Sequence, residues 1–148
     1  MKAPDTADPG LIAPCGIYCL ACSAFLSPKN PCPGCRAEEA RITRKSCRAC
    51  KKKRCAQTRG LTWCFESGQF PCAAIRDLSK RYAANYRINL IQRGQAGRAD
   101  VNALARHLLR VSTCPDCGGL IDCHHLVCSG CKQVFEHGDK ADHTPCKT

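Results

Sequence analysis

Cysteine spacing constrains this chain more than any other feature. Five C-x-x-C pairs stand in 148 residues: Cys19/Cys22, Cys32/Cys35, Cys47/Cys50, Cys114/Cys117 and Cys128/Cys131. Two intervening residues let the backbone curl so that both thiolates, with one or two backbone N–H groups, face a single cation. A chain carrying five such units is organised by metal.

The rest of the composition leaves few other ways to fold. Aromatic residues make up only 5%, and the apolar 44% includes 16 cysteines. Small modules with so little oily interior need disulfides or metals as staples. The first residues, MKAPDTADPGLIAPCG, hold no apolar run of signal-peptide length, and no later stretch is long and apolar enough to span a membrane. The expected location is therefore the cytoplasm, where thiols stay reduced and act as ligands rather than disulfide partners.

The formal charge of +11 counts every thiol as neutral. A Zn(Cys)4 unit carries a net charge of about −2, so three such sites lower the total to roughly +5. The basic excess is also uneven. Residues 1–72 hold 12 basic and 5 acidic groups, residues 73–110 hold 8 and 2, and residues 111–148 hold 3 and 5. Positive potential belongs to the first two segments.

Four segments follow from texture. Residues 1–13, rich in Pro, Asp and Ala, read as a disordered N-terminus. Residues 14–72 form a cysteine-rich metal-binding module of loops and short helical turns. Residues 73–111 read as a helical segment. Pro71 suits the first turn of a helix, and Ile75, Leu78, Tyr82 and Tyr86 form a stripe at helical spacing. That helix is expected to run to about Gln92 and stop near Gly94. Asp100 is the expected N-cap of a second helix carrying Val101, Leu104, Leu108 and Val111. Both stripes read as core-packing faces. Residues 112–148 read as a zinc ribbon and tail. The fold class is thus an irregular, metal-stabilised cysteine-rich module, two α-helices and a C-terminal β-hairpin zinc ribbon.

The ribbon rests on Cys114-Pro115-Asp116-Cys117-Gly118-Gly119 and Cys128-Ser129-Gly130-Cys131, with ten residues between Cys117 and Cys128. Two knuckles donate two thiolates each to a tetrahedral ion, and Gly118 permits the positive φ that the turn needs. Four thiolates leave no open position for water, so the site is structural. Cys123 and His125 with His143 and Cys146 could form another site, and His137 could share one. Their spacings match no compact chelate, which favours a solvated hairpin tip and a loose tail.

In the N-terminal block, Cys15-x3-Cys19-x2-Cys22 copies the spacing of radical S-adenosylmethionine enzymes. However, Ala21 stands where an aromatic is usual, and 148 residues cannot build the barrel those enzymes need. The order of motifs is more telling. Cys15-Gly16-Ile17-Tyr18-Cys19-Leu20-Ala21-Cys22 is followed by Cys32-Pro33-Gly34-Cys35-Arg36, then Cys47-x2-Cys50-x4-Cys55, Cys64, and Phe70-Pro71-Cys72. The helix end Asn89-Leu90-Ile91-x2-Gly94 and the terminal Cys-Pro-x-Cys-Gly knuckle complete the series.

Over about residues 13–131 the chain resembles a prokaryotic family catalogued as domain of unknown function 3795, whose members are often labelled zinc-binding. The resemblance implies a metalloprotein without an established reaction. It carries over Cys15, Cys19, Cys22, Cys32, Cys35, Cys47, Cys50, Cys55, Cys64 and Cys72 as metal ligands, beside Cys114, Cys117, Cys128 and Cys131 of the ribbon. One departure is Ser67, where the family commonly has a cysteine. A natural partition puts Cys47, Cys50, Cys55 and Cys64 around one ion. Cys15, Cys19 and Cys22 would surround another, with Cys72 or one of Cys32 and Cys35. Zinc, as several ions, is favoured by the irregular knuckles and the adjacent ribbon, and an iron–sulfur cluster is the alternative in residues 14–72.

These features point to a multi-site zinc protein with a structural or interaction role, an accessory subunit or adaptor that docks on a larger protein. Two other readings stand beside it. Lys51, Lys52, Lys53 and Arg54 could neutralise nucleic-acid phosphates, although few aromatics interleave with them. An iron–sulfur version could transfer electrons or handle clusters. An enzyme is the least favoured class. Residues 1–106 contain no histidine, His107 reads as a surface or packing residue, and there is no phosphate loop, carboxylate pair or dinucleotide fingerprint.

Overall fold

The apolar stripe after Pro71 does wind into a helix, though a shorter one than its sequence suggests. In the computed structural model, which describes residues 1–136, helix α3 spans Ala73–Tyr86 and buries Ile75, Leu78 and Ser79. It ends where Arg87 takes a left-handed conformation, φ 55°. Helix α4 then begins afresh at Leu90–Ala99, capped by Asn89, whose side chain accepts from the Ile91 and Gln92 N–H groups. The Ser79 hydroxyl accepts the Leu90 N–H at 3.1 Å, tying the new helix to the old one.

The expected single helix to Gln92 is therefore two helices. Gly94, expected as a stop, lies inside α4. Its missing side chain makes room for the Phe70 ring, which occupies the space a Cβ would need. Gly97 does the same for Phe65 and Leu104, whose atoms would lie 2.7–3.0 Å from a Cβ. Asp100 caps helix α5, Val101–Ser112, as its position implies, accepting the Ala103 N–H at 3.1 Å.

The cysteine-rich block is made of loops and single helical turns, as its sequence indicates. It holds 3-10 turns at Cys19–Ala21, Glu39–Arg41 and Cys64–Glu66, and two short helices, α1 at Lys45–Arg48 and α2 at Lys51–Thr58.

The main core joins all parts of the chain. Ile12, Tyr18 and Leu20 from the N-terminal side pack with Leu78, Leu90, Leu104 and Leu108 of the helices and with Leu120 beyond them. Burial of each large aliphatic side chain contributes roughly 1.5–3 kcal/mol. The helical stripes thus face the interior of this same chain. Residues 1–13 differ from the disorder expected of them. Lys2 forms an antiparallel bridge with Gly119, the Met1 carbonyl accepts the Leu120 N–H, and Ile12 is fully buried.

After α5 the chain folds through antiparallel bridges, Thr113 with Leu120, Ile121 with Cys128 and Val127 with Val134. Among the described residues none extends into a strand, so the expected β-hairpin is present only as these separate pairings. A second apolar cluster of Ile121, Leu126 and Phe135 packs around Cys114 and Cys128.

Candidate metal centres

Four sulfurs converge in the C-terminal segment. The Sγ atoms of Cys114, Cys117, Cys128 and Cys131 all lie within 4.8 Å of one another. Cys114 and Cys131 are 3.8 Å apart, and Cys117 and Cys128 are 3.5 Å apart. Four thiolates at the usual ~2.3 Å from one tetrahedral ion stand ~3.8 Å from each other, so the donor set fits a single cation.

The backbone of both knuckles is built alike. Gly118 N–H donates to the Cys114 carbonyl at 3.0 Å, and Lys132 N–H donates to the Cys128 carbonyl at 3.1 Å. Both donors have positive φ, 73° at Gly118 and 66° at Lys132. Gly119 N–H points at the Cys117 sulfur at 3.3 Å and Gly130 N–H at the Cys128 sulfur at 3.4 Å. A Cβ on Gly119 would lie 2.9 Å from the Cys128 sulfur and 3.2 Å from that of Cys117. Glycine there is a requirement of close approach to the sulfurs.

The sulfurs differ in acidity. The Gly119 N–H, helped by the neighbouring thiols, lowers Cys117 to about 6. Cys131 is drawn down by the Gln133 backbone, but burial and hydrogen bonds with the other three thiols outweigh this and push it up to about 11. Stabilising a thiolate before a metal arrives suits a chelating site.

The ten N-terminal cysteines are more dispersed. Among the described residues the C-terminal set is the only group of three or more cysteine, histidine or acidic side chains drawn together this tightly. Cys19 and Cys35 hydrogen-bond to each other, which holds Cys19 down and Cys35 up. Cys35 is also felt by Cys15, Cys22 and Cys47. Cys64 senses Cys72, Cys55 and Cys50. Cys22, Cys32 and Cys47 pack around Ile42. Neighbourhoods therefore interleave across the block. Ser67 donates its N–H to the Cys64 carbonyl at 3.1 Å, and its hydroxyl accepts the Gln69 N–H. Burial pushes Cys15 up to about 12 and Cys64 up to about 11, a tendency that a bound cation reverses.

The remaining donors have other partners. Cys123 is buried in the main core, and burial raises its thiol to about 12. His125 is exposed and bound to Asp122, Nδ1 to Oδ2 at 2.6 Å. His137, His143 and Cys146 lie outside the described residues. His107 is buried, and Arg110 donates to its Nδ1 at 2.9 Å.

Two buried cations escape sequence reasoning. Arg93 is 4% exposed, donates to the Gly16 carbonyl at 3.0 Å and leaves its Nε without a hydrogen-bond partner. Burial lowers its pKa, opposed by Cys123, Cys15 and Tyr82, and no carboxylate among the described residues pairs with it. Lys53 is 3% exposed and reaches the Cys47 carbonyl at 3.4 Å. In sequence one sits in a polar stretch and the other in a lysine run, and both look solvated.

The described residues thus form a small helical, cysteine-rich protein with a four-sulfur group that could hold one ion. Residues 11–77 match the family model described as "Protein of unknown function (DUF3795)". The match takes in all ten N-terminal cysteines and ends within α3, so α4, α5 and the C-terminal site lie beyond it. No curated protein and no solved structure matches the chain. Among the described residues no helix is long and apolar enough to cross a membrane.

Proposed function

We propose that this is a multi-site zinc protein with a structural and interaction role, its C-terminal segment a zinc ribbon. The observation that carries this reading is the convergence of Cys114, Cys117, Cys128 and Cys131 within 4.8 Å. Separations of 3.5 and 3.8 Å suit one ion, whereas the cysteines of a multi-iron cluster sit on different irons and stand further apart. A site closed by four thiolates offers no position to substrate, which favours a structural ion over a catalytic one. The ten N-terminal cysteines are further ligands in this reading, and the block's loop-rich backbone depends on them.

The role of accessory subunit places a partner at the surface, because the helical stripes are already used inside the chain. Val134, 69% exposed, and Met1, 58% exposed, are the large apolar side chains left outside among the described residues. Elemental analysis of anaerobically purified full chain tests the metal reading. Zinc in the wild type, with one equivalent fewer in Cys128→Ser, supports it. Iron with broad visible absorbance, or no metal at all, refutes it.

A further inference from the structure

A cavity of about 480 Å³ opens between the α1–α2 region and α3. Its walls include five cationic residues, Arg44, Lys51, Lys52, Lys53 and Arg81, and no aspartate or glutamate. Cys15, Cys35, Cys47 and Cys50 line another part of it, and Tyr82, Tyr86 and His124 complete it. Lys53 among them is buried, Arg44, Lys51 and Arg81 are exposed, and five positive charges around one concavity without a carboxylate draw an anion in.

The thiols do not meet this need. Even if all four were thiolates on one divalent ion, a net of two negative charges against five positive leaves an excess of three. Glu39, whose carboxyl group also feels Lys53, is held by Arg54 at 3.3 and 3.4 Å and does not line the cavity. Lys53 is buried at the wall, with one donor directed at the Cys47 carbonyl and two remaining. A buried ammonium without a paired carboxylate is costly and marks a place built for a counter-charge.

We infer that this cavity is a binding site for a small-molecule phosphate-type dianion, a function beyond the metal reading and independent of which metal is present. Its volume falls in the ~300–1,000 Å³ range of small-ligand sites and exceeds what one inorganic phosphate fills. The geometry favours such a ligand over a nucleic-acid strand. A strand laid along residues 51–54 needs four outward charges, but Lys53 is buried and Arg54 is paired with Glu39.

Calorimetric titration of the full chain as purified, with metal content measured on the same samples, tests the site. The probes are inorganic phosphate and ribose 5-phosphate, with oligonucleotides of increasing length titrated alongside as the competing class. Saturable one-site binding is expected, weakened about tenfold each by Arg81→Gln and Lys52→Gln. Arg59→Gln, a charge outside the cavity lining, is expected to leave it unchanged. Tighter binding of ribose 5-phosphate assigns a phosphate ester as ligand, and equal binding assigns the free ion. Absence of saturable binding overturns the site, as does equal weakening by Arg59→Gln. So does affinity confined to oligonucleotides and growing with their length. Zinc-loaded protein that ignores both probes removes the cavity proposal alone, and phosphate binding by a zinc-free chain removes the metal reading alone.

Discussion

Tyr82 and His124, forty-two positions apart, meet Oη to Nε2 at 3.0 Å. The same imidazole receives the Ser23 N–H on Nδ1 at 3.3 Å. That nitrogen also lies 3.5 Å from Asp122 Oδ1. Tyr86 stacks edge-on against the ring, with centroids 4.9 Å apart. One histidine therefore fastens the cysteine-rich block, helix α3 and the C-terminal segment together.

That coupling has a measurable size. Tyr82→Phe removes the hydroxyl and keeps the ring, and is expected to cost about 1 kcal/mol in urea unfolding. His124→Ala removes packing as well and costs more. In a double-mutant cycle the two changes should show coupling of about 1 kcal/mol. Additive effects would mean that the contact does not hold the segments.

The two knuckles carry a built-in comparison. Both residues following the second cysteine have positive φ, but one is Gly118 and the other Lys132. A side chain in that conformation costs roughly 1 kcal/mol or more. Gly118→Ala is expected to lower stability by about that amount, and open space around Gly118 leaves backbone strain as the cause. Lys132→Gly relieves the strain while losing an exposed hydrogen bond to the Ser129 carbonyl. It should leave thermal stability unchanged or higher. A marked loss would contradict the shared knuckle geometry.

Metal-free protein should betray the unequal sulfurs. Cys117, held down to about 6, is largely thiolate at pH 7, whereas Cys131, pushed up to about 11, keeps its proton. Because the thiolate is the nucleophile, alkylation of Cys117 should rise through pH 6 and level off by about pH 7. That of Cys131 should stay slow until the solution is strongly alkaline. Mass spectrometry of chelator-treated chain labelled at several pH values reads this order directly. Faster labelling of Cys131 at neutral pH would reverse the assignment.

Much of this is legible in the sequence, and the exceptions share a cause. C-x-x-C spacing finds the four-sulfur site because a chelate is local within each knuckle. Asp100 is recognisable as a cap for the same reason. The break between α3 and α4 is not legible, since it depends on Asn89 and on Ser79 reaching across from the preceding helix. Gly94 looks like a stop, yet it is a seat for Phe70 contributed from another segment. Residues 1–13 lack any pattern of their own and gain order through Gly118, Gly119 and Leu120. Arg93 and Lys53 carry no local sign of burial. The grouping of Cys15 through Cys72 is likewise a matter of which loops meet, and spacing alone cannot specify it.

In the proposed zinc protein an ion at Cys114, Cys117, Cys128 and Cys131 holds the C-terminal segment in place. Thermal unfolding of the full chain before and after removal of bound metal by a strong chelator tests this most directly, with Cys114→Ser/Cys128→Ser alongside. The expected result is a large drop in melting temperature on metal removal, restored by zinc. The double variant should start lower and lose less. Identical melting curves for loaded and stripped wild type, or a double variant as stable and as zinc-rich as the parent, would contradict it.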